Sequence, residues 1–236
     1  MAYPSQAERG MIRGGDWTGD LPVRTTGEMD QGGSHMEKRS MWSFRFSTAS
    51  LVLIPAAVGI NYIGKLFAGV LKLPLWLDAI GTILASMLAG PVIGAISGAV
   101  NNIIYGLTMD PISFVYGITS LFIGLIAGVM THKGWIQSWG KAVIVGLAVG
   151  LTAVVISTPL NVAFWGGQTG NLWGDAVFAA VMAKTSSIWL ASFLDEIVVD
   201  LPDKVLVVLA AYAIYRGLPH NVKQMFHRNS QVEELD

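Results

Sequence analysis

Four carboxylates and one lysine crowd into residues 195–204: Asp195, Glu196, Asp200, Asp203 and Lys204. The eleven residues that follow, 205–215, carry no charge. Acids beside such an apolar run are costly at membrane depth unless paired or wet, and intramembrane ionisable groups are functional by default. The chemistry this predicts is binding: an acidic mouth that holds a ligand or an ion. The plainer reading is a solvated loop followed by a helix cap, and Lys204 is spaced for a local i,i+4 pair with Asp200. Pro202 sits at the join with Asp200 just before it, a pattern that predicts a helix starting near Leu201.

Other polar groups sit in or beside apolar runs. Asp78, in Leu75-Trp76-Leu77-Asp78-Ala79, is either a ligand contact or a cap paired with Lys65 or Lys72. Asn101, Asn102 and Tyr105 fall near the end of one run, where amides bond across helices or meet a ligand. Asn161, Trp165, Gln168, Asn171 and Trp173 alternate rings with amides. That suits a flat, polar, ring-bearing ligand, although an interfacial aromatic belt has the same composition.

Covalent chemistry has no visible carrier. The chain has no Cys and four His, at 35, 132, 220 and 227, with no His pair on a helix face. There is no phosphate-binding Gly-rich loop ending in Lys-Ser/Thr and no G-x-S-x-G. The sequence therefore predicts no catalytic residue, no metal site and no cofactor. If the chain pumps a solute, a partner must hydrolyse the ATP.

These residues are positioned by an unusually apolar chain. It is 53% hydrophobic and 13% charged, with mean hydropathy +0.54. Soluble domains carry about 25% charge. The composition predicts an all-α integral membrane protein, and its net charge of −1 points to no nucleic-acid partner. We read six transmembrane helices: 42–64, 75–89, 91–107, 112–130, 142–160 and one from 201 to about 216. Residues 65–74 form an interfacial linker. Residues 161–184 form a long outer loop between helices 5 and 6, and 176–194 a re-entrant or surface segment. Pro55 should kink the first span. Gly90-Pro91 breaks the second from the third, and Gly90/Gly94/Gly98, Gly124/Gly128 and Gly146/Gly150 predict close backbone approach.

Residues 1–36 read as tag-like or disordered, with Gly33-Ser34-His35-Met36 resembling the scar of a cleaved tag. Residues 37–219 form the membrane domain, and 220–236 a polar tail. Basic residues cluster at 38–45, 133–141 and 216–228. With six spans these share one side, so both termini are cytoplasmic; Lys65 and Lys72 fall on the other side, against the rule.

The run LPLWLDAIGTILASMLAGPVIGAISGAVNNIIYGL and the end DLPDKVLVVLAAYAIYRGLP resemble the membrane S components of energy-coupling factor (ECF) vitamin transporters, over residues 42–219. The likeness is greatest to the cobalamin-type S components. It implies capture of a vitamin or related micronutrient at the outer face of a prokaryotic cytoplasmic membrane. Delivery would follow by docking on an ECF transmembrane scaffold subunit driven by two ATPase subunits. In that family docking uses an Ala-x-x-x-Ala face on the first span. Ala49, Ala56, Ala57 and Gly64 are the small residues here, without the strict spacing. The substrate-binding set is Asp78, Asn102, Tyr105, Asn161, Trp165, Asn171, Trp173, Asp195 and Glu196. The rival readings are a membrane sensor, for which no output domain is read after Asp236, an ion-coupled secondary transporter using Asp195 or Asp203, and, last, an intramembrane enzyme.

Overall fold

Gly90 turns the chain between two helices. Its φ of +93° is open to glycine and strained for other residues. Pro91 follows as the first residue of the next helix, where its missing N–H costs nothing. The computed structural model describes residues 48–228; the tag-like 1–36 stretch, the basic cluster at 38–45 and the end of the tail lie outside the described residues. Among these the chain forms α-helices, one 3-10 turn and no strand. The helices are α1 (Thr48–Val70), α2 (Ile80–Ala89), α3 (Pro91–Thr108), α4 (Gly117–His132), α5 (Trp139–Trp165), α6 (Leu172–Thr185), α7 (Ile188–Gly217) and α8 (His220–Arg228). The 3-10 turn, Pro111–Phe114, precedes α4.

The glycine spacings act as read. A Cβ on Gly124 would run into the backbone of Gly94 and Ala95, so α3 and α4 touch main chain to main chain. Gly146 lies against Val205 and Gly150 against Leu201, which seats α5 on α7. α5 turns apolar residues both inward and outward. Val145 and Val149 are fully buried, while Leu151 and Val155 are 51% and 64% exposed. A helix hydrophobic all round belongs in a large core or in lipid. Among the described residues two helices, α1 and α5, are long and apolar enough to cross a membrane, with mean hydropathies of 1.7 and 2.2 over their most apolar stretches.

Five sequence readings need correction. The first helix does not end at Gly64. Nothing in Lys65-Leu66-Phe67-Ala68-Gly69-Val70 breaks a helix, and the Lys65 ammonium, placed inside it, bonds Ser113 Oγ at 3.0 Å. The second helix is shorter than predicted, because residues 75–79 are held as a loop: Asp203 Oδ1 accepts the amides of Trp76 (3.1 Å) and Leu77 (2.9 Å), and Leu77 has φ +53°. The interval 161–184 is mostly helix. α5 continues to Trp165, and α6 starts where the Asn171 side chain accepts the Trp173 amide at 3.0 Å. The tail holds a short helix, α8.

The largest correction concerns the acidic stretch. α7 starts at Ile188, with Ser187 capping it, and runs through Pro202 without ending. Proline there removes one backbone bond, yet the turn survives because the acids on the inward face find partners in other elements.

Candidate functional site

α7 presents Glu196, Asp200 and Lys204 on one face, each one turn from the next. All three are buried. They line a cavity of about 550 Å³, counted with its open mouth. Its other walls are α1 (Lys65), the α1–α2 loop (Trp76, Asp78), the turn before α4 (Asp110, Ser113, Tyr116), α4 (Thr119, Ser120), α5 (Ser157) and the α5–α6 loop (Thr169).

Three networks fix these groups. The first centres on Lys204. Its Nζ donates to Asp203 Oδ2 at 2.5 Å and Asp78 Oδ1 at 3.2 Å, and lies 3.7 Å from Asp200 Oδ1. Asp203 spends its other oxygen on the Trp76 and Leu77 amides. A buried ammonium is tolerated only when its charge is compensated; here two carboxylates accept its hydrogen bonds and a third adds charge, and α7 is tied to the α1–α2 loop. Lys65 is held separately, by Ser113 Oγ and by the Tyr105 ring 4.3 Å away.

The second network crosses three elements. The Tyr116 hydroxyl donates to Asn161 Oδ1, and Asn161 Nδ2 donates to Glu196 Oε1. Asn161 is fully buried, so its amide is committed to orienting these two cavity groups. The third network shapes the rim. Thr169 Oγ1 donates to Asp195 Oδ1 at 3.2 Å, and Asp175 Oδ1 accepts the Thr169 and Gly170 amides. Asn171 Nδ2 reaches the Leu73 carbonyl at 3.4 Å and Trp173 Nε1 the Lys72 carbonyl at 3.1 Å, so the two loops are fastened together.

Of the residues chosen from sequence, Asp78 and Glu196 line the cavity. Asp78 pairs with Lys204, not with Lys65 or Lys72 by a direct ion pair. Asn161, Tyr105, Asn102 and Asp195 stand one layer back: Asn161 on Glu196, Tyr105 on Lys65, Asn102 on Ser120 Oγ at 2.6 Å, and Asp195 on Thr169. Asn171 and Trp173 are fasteners of the rim. Trp165 ends α5, half-buried, its ring centroid 6.1 Å from that of Phe164.

The small residues of α1 divide. Ala57 is buried against Gly81, where a side chain would strike the Ala57 carbonyl, and Gly64 packs on the Leu77 carbonyl. Ala56 faces outward and Ala49 is half-buried. Tyr116, Asp110 and Ser113 were not singled out from sequence as cavity groups. Their only signal is the Asp110-Pro111 turn, which brings all three to one place.

The cavity offers carboxylates, hydroxyls, and the rings of Trp76 and Tyr116, the inventory of a site that binds by hydrogen bonds and stacking. Among the described residues no group of three His, Asp or Glu is arranged to hold a metal ion. No protein-family model, curated protein or solved structure matches this chain.

Proposed function

We propose that the chain is the substrate-capturing membrane subunit of an ATP-driven importer of the ECF type, and that the cavity holds the nutrient. The observation that carries this reading is a charged, hydroxyl-rich cavity inside a helical bundle that turns large apolar side chains outward. In the proposed topology α1, α2 with its preceding loop, α3, α4, α5 and α7 make six crossings, with both termini cytoplasmic. The loops at 71–79, 109–116 and 166–171 then share the outer side. All three supply cavity residues, so the site opens toward the medium that holds the solute.

Binding alone needs no covalent step, and energy would come from a scaffold subunit and two ATPases. The figure of about 550 Å³ includes the open mouth, so the enclosed space is smaller, which favours a compact polar nutrient over a corrinoid, despite the likeness to cobalamin-type chains. The buried Lys204 network also suits an ion-coupled transporter, the second reading. The test is purification of the chain from its native membrane in mild detergent, followed by uptake assays in vesicles. Co-purifying ATPase subunits and uptake that stops without ATP support the importer. Uptake that persists without ATP and collapses with the ion gradient selects the second reading.

A further inference from the structure

Glu196 is unlike the other buried acids of the cavity. Asp78 and Asp200 lie within ion-pair distance of Lys204, as does Asp203 just behind them. Glu196 is 3% exposed, lines the cavity, accepts a hydrogen bond from the neutral amide of Asn161 and lies in hydrogen-bond contact with the Asp200 carboxyl. Among the described residues no lysine or arginine lies within ion-pair distance of it. Asp200, one turn along the same face, has Lys204 only at 3.7 Å. The cavity wall as a whole sets two lysines against four carboxylates: Lys65 and Lys204 against Asp78, Asp110, Glu196 and Asp200.

The two lysines differ. Lys204 is neutralised by Asp78, Asp200 and Asp203. Lys65 donates to Ser113 Oγ and lies over the Tyr105 ring, and among the described residues no carboxylate lies within ion-pair distance of it. A buried carboxylate without a counter-charge is expensive, and a site pre-organised around one is complementary to a cation. The rings of Trp76 and Tyr116 also border the cavity.

We infer that the cavity takes a small ligand bearing a cationic nitrogen, an ammonium, amidinium or guanidinium group seated against the Glu196 and Asp200 pair. This rests on the capture reading above and names the substrate class of that site. Carboxylate- and phosphate-bearing nutrients are disfavoured, because acids outnumber lysines on the cavity wall.

The test is thermal stabilisation and affinity of the purified full chain in detergent against probes that differ in charge. Thiamine and pyridoxamine carry cationic nitrogen, biotin and pantothenate are anions, riboflavin is neutral, and sodium chloride controls for a simple ion. The inference expects stabilisation by at least one cationic probe and none by the anions. Glu196→Gln, which keeps the Asn161 contact, should weaken that binding about tenfold or more. Asp110→Asn, at the rim, should weaken it less. The inference is overturned if no cationic probe binds, if an anion or riboflavin binds in their place, if sodium chloride stabilises equally, or if Glu196→Gln binds like wild type. An anionic or neutral binder would leave the capture reading standing. No binder of any charge, together with no co-purifying ATPase, would take down both.

Discussion

Lys204→Met is the perturbation whose size the structure sets best. The Lys204 side chain is 3% exposed and stands among Asp78, Asp200 and Asp203, whose side chains are 16%, 6% and 0% exposed. Methionine fills much the same space, so the loss is electrostatic rather than steric. Removing one partner of a buried ion pair costs about 3–5 kcal/mol, because the other charge is left uncompensated. Here three carboxylates are left, and one of them, Asp203, also holds the α1–α2 loop through the Trp76 and Leu77 amides. At about 2–4 °C per kcal/mol for a chain of this length, melting should fall by about 6–20 °C. The assay is the fraction of monodisperse protein after heating in detergent. Adding Asp203→Asn to Lys204→Met should recover part of the loss, since it removes one stranded charge and keeps an oxygen for the loop amides. A Lys204→Met protein melting within about 2 °C of wild type would refute the idea that this network holds the site together.

Other perturbations separate structure from function. Asn161→Leu strands the Tyr116 hydroxyl and Glu196 and should cost about 1–3 kcal/mol, read as a lower melting temperature; an unchanged melt would contradict the Tyr116–Asn161–Glu196 chain. Trp173→Phe loses only the bond to the Lys72 carbonyl, so amide exchange in residues 71–79 should quicken while the global melt holds; unaltered exchange would remove Trp173 from the rim. Gly124→Leu forces a side chain into the Gly94–Ala95 backbone and should abolish folded yield in detergent, whereas normal yield would mean that the α3–α4 contact is looser than described. Ala57→Leu should destabilise the fold through Gly81, while outward Ala56→Leu should leave melting unchanged and reduce co-purification of the scaffold subunit; equal effects of the two would deny that α1 has a free docking face.

Local rules carried much of the architecture. Gly90-Pro91 specified a break with one backbone solution, and the four-residue glycine spacings predicted helix contacts that the fold makes. Two of the cavity acids, Asp78 and Glu196, were legible because charge beside an apolar run demands a partner. Long-range partners were not legible. Asp203 anchors Trp76 from 127 residues away, and nothing near either residue announces it. For the same reason Pro202 read as a helix start. Its propensity is local, whereas the helix persists through contacts made by Asp203 and Lys204 to the α1–α2 loop. The amides and glycines at 161–171 suggested one long loop, but Asn161 is an inward helical residue and Asn171 a helix cap. Polar residues in a bundle are read as loop unless their burial is known.

The absence of native cysteine makes one measurement decisive for the proposed outward-facing cavity. Asp110→Cys places a thiol on the cavity wall, and Lys133→Cys places one at the opposite end of α4, just past its last turn. A membrane-impermeant maleimide applied to intact cells should label the first and spare the second, and inside-out vesicles should reverse the pattern. Labelling of Asp110→Cys only in inside-out vesicles, or of both thiols from one side, would contradict a site that opens to the medium.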